Sequence, residues 1–101
     1  MRLPKDRRPV HPGEVFLEEF LIPLGITQKE AAGRLHISYP RMNEIVKGKR
    51  SVTPDTALRL ARFTDTEPEF WLNLQQARDL WDAMHSDRAG ELEKIEPARV
   101  A

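Results

Sequence analysis

Between residues 29 and 50 the chain carries six bases, Lys29, Arg34, Arg41, Lys47, Lys49 and Arg50, against two acids, Glu30 and Glu44. Clustered cations neutralise phosphates and release counterions, which is the chemistry of nucleic-acid binding. Gln28, Ser38, Tyr39, Pro40 and Asn43 are interleaved with them. Arg41 is the leading candidate for reading a base, because a bidentate contact with guanine is worth about 1–3 kcal/mol. Tyr39 and Pro40 share the exposed first turn of the same helix, and a tyrosine can donate, accept or pack on a thymine methyl. Gln28 and Ser38 stand at helix N-termini, where free N–H groups favour a phosphate. Asn43, Lys47, Lys49 and Arg50 read as clamps on the nucleic-acid backbone. Plainer uses compete: solvated surface for the lysines and amides, and a pair with Glu44 three residues on for Arg41.

Other chemistry is poorly supplied. The absence of cysteine excludes a disulfide scaffold, a thiol nucleophile and a thiolate metal site. His11, His36 and His85 are far apart and lack HExxH or HxxxH spacing, so no metal and no other cofactor is expected. Glu18 and Glu19 are adjacent and point to different helix faces, a poor acid–base pair. No nucleophile has an identifiable base, and no catalytic residue is assigned. Phe70, Trp71 and Trp81 recur at helical spacing, the pattern of a core or a seam rather than a ligand pocket.

The elements that must hold the basic cluster are helices. Thr27 is an N-cap, and Ala31, Ala32 and Leu35 give the helix it opens one apolar face. Ser38 caps a second helix whose inner face is Met42, Ile45 and Val46 and which Gly48 ends. This is a helix-turn-helix with its first-turn polar groups turned outward, the arrangement that suits a major groove. Pro12-Gly13-Glu14 opens an earlier helix with Val15, Phe16, Phe20 and Leu21 inward, ended by Pro23 and Gly25. Thr53-Pro54-Asp55 starts another, with Ala57, Leu58 and Ala61 inward. Thr66-Glu67-Pro68-Glu69 starts the last, and Gly90 breaks the chain after it. The expected fold is all-α with five helices, near residues 13–22, 27–35, 39–47, 54–63 and 68–85. Residues 1–10 are expected to form a flexible arm, 11–85 the folded domain and 86–101 an acidic tail.

At 101 residues, 40% hydrophobic and 32% charged, the chain has room for one core. No window approaches a membrane span and no signal peptide is recognisable, so a cytoplasmic location and no membrane partner are expected. The formal net charge is zero, but it is unevenly placed: from residue 65 to the end, nine acids face four bases. One face is thereby suited to phosphates and another to a basic partner.

The segments HPGEVFLEEFLIPLGITQKEAAGRL, MNEIVKGKRSVTPDTALRLARF and EFWLNLQQARDLW, spanning His11 to Trp81, resemble HigA-type antitoxins of the lambda-repressor-like (XRE) helix-turn-helix group. The resemblance implies a five-helix DNA-binding domain acting as a dimer on a palindromic duplex operator. It also implies repression of its own operon and neutralisation of a HigB-type toxin, a RelE-like ribonuclease. The turn position held by His36 is usually glycine in that group, so His36 is expected at positive φ. Phe70, Leu74, Ala77, Trp81 and Met84 step by four and three, with Trp71 and Leu80 beside them, and Leu80, Trp81 and Met84 lie beyond the helix-turn-helix unit. This seam is the expected homodimer interface, which must hold two reading helices about 34 Å apart. Two other readings remain open at this point: a repressor of the same fold without a toxin, and an interaction module whose basic patch serves an acidic protein or RNA.

Overall fold

The computed structural model describes residues 7–99, and they form helices and loops with no strand. α1 (Pro12–Phe16) passes through a π-helical turn (Leu17–Leu21) into α2 (Ile22–Leu24), as one rod with αR geometry at both joins. α3 (Gln28–Leu35), α4 (Tyr39–Val46), α5 (Pro54–Thr64), α6 (Pro68–Met84) and a short α7 (Ala89–Leu92) follow. Counting the rod as one helix there are six, one more than expected. Gly90 lies inside α7 instead of breaking the chain.

The π turn was not anticipated. Ile22 donates its N–H to the Leu17 carbonyl five residues back. Winding wider than an α-helix brings positions five apart onto one face, so Phe16 and Leu21 are both buried in the same core. That rod runs two residues past Ile22, because Pro23 sits in the first turn of α2 and Gly25 ends it in the left-handed conformation.

Local chemistry accounts for the helix ends. Thr27, Ser38 and Thr53 each accept a backbone N–H three residues on. Thr66 was expected to help start the last helix. Its hydroxyl instead accepts the Trp71 indole N–H at 2.9 Å, and Glu67 is the cap residue without a side-chain bond. At the C-termini, Gly25, His36, Gly48 and Asp65 are all left-handed, His36 at φ 59° as expected. At each, the following N–H reaches five residues back, as Ile37 does to Ala32 at 3.0 Å, so terminal carbonyls are satisfied.

The core is built on Phe16, Leu21, Met42, Ile45, Leu60 and Trp71, all fully buried. Phe16 meets Phe63 and Trp71 edge-on at 5.8 and 5.9 Å between ring centres, the favoured geometry for such pairs. On α5 the inward positions are Thr56, Ala57, Leu60 and Ala61. Leu58, expected inward, is exposed, since it lies about 100° round the helix from Ala57.

Two residues of the first helical turn seat α1 on α4. His11 is buried, and its Nδ1 accepts the Gly13 N–H at 2.9 Å. Gly13 lies so close to α4 that any Cβ there would overlap the Ile45 carbonyl. Arg8 makes two 2.7 Å bonds to Asp82, and Arg78 donates to the Pro9 carbonyl at 2.9 Å. The expected free arm over residues 1–10 is therefore tied to α6 from Arg8 onward, and residues 1–6 lie outside the described residues. The tail from residue 86 to 99 is exposed apart from Ala89.

Two expectations follow. Gly13→Ala should cost about 2–4 kcal/mol, because backbone lies where the methyl must go; urea unfolding measures it. For His11, burial foremost, then the nearby Arg78 charge, holds the imidazole pKa below the ordinary 6.5. The folded state thus prefers the neutral ring, so the His11 contribution is full above about pH 6.5 and declines as the pH falls below it. His11→Asn keeps an acceptor at the cap, so it should flatten the pH dependence of the unfolding free energy between about pH 7 and 5 relative to the parent chain.

Candidate nucleic-acid interface

The interface is built on α3, the turn His36-Ile37-Ser38, and α4. Met42, Ile45 and Val46 are buried, which fixes the roll of α4 and turns its other sides outward. Tyr39, Asn43 and Lys47 are four residues apart and so share one outer side; Tyr39 is half exposed and Lys47 exposed. Ser38 and Pro40 are exposed at its start, and Ser38 Oγ accepts the Arg41 N–H at 3.2 Å.

The structure joins two candidates directly. Asn43 Nδ2 donates to Gln28 Oε1 at 2.9 Å, linking the first turn of α3 to the outer side of α4. Gln28 is thereby held where an α-helix N-terminus can meet a phosphate.

Arg41 is placed differently from the first-turn residues beside it. Its guanidinium leans on α5, with Nη2 donating to Thr56 Oγ1 at 2.7 Å and lying 3.3 Å from Asp55 Oδ2. Its partner is thus Asp55 and not Glu44, which pairs with Arg50 at 3.3 Å. Asp55 is shared with Arg59, whose Nε donates at 2.9 Å. Arg59 Nη1 in turn donates to the Leu35 carbonyl at 2.9 Å, closing the end of α3. The Arg59 bond first, and the Arg41 bond after it, hold the Asp55 carboxyl below the usual carboxylate range. Arg34 lies over the Phe63 ring at 4.7 Å and near Glu30 at 3.9 Å. Among the described residues, Lys29, Lys47 and Lys49 are exposed and carry no ion pair.

The basic loop after α4 is fastened from behind. Val52 is buried and donates its N–H to Gln75 Oε1 at 2.7 Å, while Gln75 Nε2 donates to Asp79 at 2.9 Å. Gln75 is a buried polar residue on α6. Sequence reasoning passed over it, as it did Asp55, Thr56 and Arg59. The Asp55–Arg59 spacing of four was a readable signal. The bonds to Arg41, Leu35 and Val52 join residues at least 14 apart and left no local mark.

The seam on α6 divides. Trp71 is wholly buried and belongs to the core, and Ala77 is buried as well. Leu74 and Trp81 are half-buried, while Phe70, Leu80 and Met84 are exposed. The Trp81 ring stacks on His85 at 3.9 Å. The tail leaves Leu80 and Met84 uncovered.

Comparison with known proteins agrees with this geometry. The helix-turn-helix family model matches residues 17–71. Virulence-associated protein I of Dichelobacter nodosus is 48% identical over 71 residues, covering 70% of this chain and 66% of that protein. Antitoxin HigA-1 of Vibrio cholerae is 42% identical over 76 residues, covering 75% of this chain and 71% of that one. Among solved structures, Pseudomonas aeruginosa antitoxin HigA with higBA promoter superposes with a TM-score of 0.84 at 38% identity, over 91% of this chain and all of that one. A chain that matches these proteins in sequence over most of its length and in fold belongs to the helix-turn-helix family, among the HigA-type antitoxins.

Proposed function

We propose that this protein is a sequence-specific DNA-binding antitoxin that represses its own operon and neutralises a HigB/RelE-like ribonuclease toxin. The observation that carries the DNA half is an α4 with its inner face buried and its first turn open, in a chain that superposes along nearly its whole length on an antitoxin solved with promoter DNA. Toxin neutralisation follows from membership of the HigA-type group. The activity is binding, with no catalytic residue, and its target is cytoplasmic DNA. In this reading Tyr39, Pro40 and Arg41 face base edges. Gln28 and Ser38 meet phosphates through helix N-termini, and Asn43, Lys47, Lys49 and Arg50 clamp the backbone. No described helix is long and apolar enough to cross a membrane.

A homodimer completes the reading. Exposed apolar side chains run along α6, Phe70 in its first turn and Leu80 and Met84 on its distal half, a strip of the kind that marks an interaction site. A two-fold contact there buries the same strip from both subunits. Leu74, Ala77 and Trp81 support it from beneath.

The test uses the promoter duplex ahead of this chain's own reading frame and a random duplex of equal length. Arg41→Ala should cost about 1–3 kcal/mol on the promoter and relax discrimination at one position. Lys47→Ala or Lys49→Ala should weaken both duplexes alike and lower the salt slope by about one unit each. Equal loss on both duplexes for Arg41→Ala would remove its base-reading role. For the dimer, Leu80→Glu with Met84→Glu alters side chains already exposed in the single subunit. Sedimentation should shift toward monomer and promoter binding should drop, while circular dichroism retains the helical signal.

A further inference from the structure

Arg41 occupies the third position of α4, in the turn that opens outward, yet its side chain is only 29% exposed. Its Nε is buried without a partner, and the bonds it makes all come from Nη2. Asp55 is 59% exposed and is independently gripped by Arg59, so it does not rely on Arg41 for its position. Thr56 Oγ1, fully buried, lies 3.2 Å from Thr53 Oγ1 and is likewise fixed without Arg41. The acceptors are thus anchored, while the guanidinium they hold has a donor unmatched, and an unmatched buried donor favours any rearrangement that satisfies it.

We propose that Asp55 is a specificity-determining residue of the DNA interface: it stores Arg41 against α5 and yields it to a partner that offers two acceptors at once, as a guanine edge does. This deepens the reading of Arg41 as a base reader and rests on it. A partly exposed ion pair is weak and screened by salt, so a bidentate base contact displaces it. A single phosphate in a wrong register offers too little to draw Arg41 away from Asp55 and Thr56, so the arginine stays stored against α5. Withholding a contact from the wrong partner is a source of discrimination.

The full-length chain and its Asp55→Asn, Thr56→Val and Arg41→Ala variants, with the double variant Asp55→Asn/Arg41→Ala, are titrated against the promoter duplex and the random duplex at one salt concentration. Asp55→Asn should raise random-duplex affinity about three- to tenfold and change promoter affinity less than about twofold, so the specificity ratio falls. Thr56→Val removes an acceptor of Arg41 without changing any charge, and it should lower the ratio in the same direction. In the Arg41→Ala background Asp55→Asn should leave the ratio unchanged. A ratio unaffected by both single variants, or one that falls equally in the Arg41→Ala background, overturns the proposal. A parent chain that discriminates between the duplexes while Asp55→Asn discriminates equally well removes only the role of Asp55. A parent chain that binds both duplexes alike removes base reading itself, and the proposal with it. Melting temperatures of both single variants confirm that folded protein is compared.

Discussion

The Ile45 carbonyl leaves no space for a side chain at residue 13, and the placement of the reading helix depends on that contact. α1 meets the last turn of α4 backbone to backbone, nearer than any larger residue permits. The cap residue His11 then lies beside Gly48, whose left-handed conformation turns the chain away from α4 into the basic loop. Gln75 holds that loop at Val52 from the far side. At the other end of α4, Ser38 closes the first turn, and Arg59 ties the end of α3 to the start of α5. Apart from Ser38, the residues that grip the two ends of α4 lie outside the proposed DNA contacts.

Such grips are needed because α3 and α4 are eight residues each, below the length at which an isolated helix persists in water. Their stability comes from the buried inner faces and from satisfied ends. Four successive helix ends use one device, a left-handed residue followed by an N–H that bonds the carbonyl five residues back. Glycine fills it at residues 25 and 48. His36 and Asp65 fill it at the modest conformational cost that non-glycine residues incur there.

What could be read from the sequence was what is local. Thr27, Ser38 and Thr53 announce their helices because a cap bonds three residues on, whereas the left-handed turn at His36 follows only from the family resemblance. The π turn was illegible because apolar spacing was read at 3.6 residues per turn, whereas Phe16 and Leu21 share a face only when the helix is wound wider. Leu58 was placed inward and Trp71 beside the seam because a step of about 100° is easily lost in a dense apolar run. The second layer of the interface was out of reach for another reason. Asp55 with Arg41, Gln75 with Val52 and Arg8 with Asp82 are separated by 14, 23 and 74 residues, and their geometry exists only once the chain has folded.

The Gln75–Val52 bond carries a consequence for the newly made chain. Synthesis proceeds from the N-terminus and domains fold as they emerge, so α3 and α4 leave the ribosome before α6 does. A nascent chain halted ahead of residue 75 already owns every candidate DNA contact from Gln28 to Arg50, but nothing yet pins the loop that carries Lys49 and Arg50. On the proposed reading, competence to bind arrives late in translation, with a buried glutamine that lies outside the proposed contacts. A truncated product that had lost α6 would leave a promoter open to transcription even with its helix-turn-helix complete.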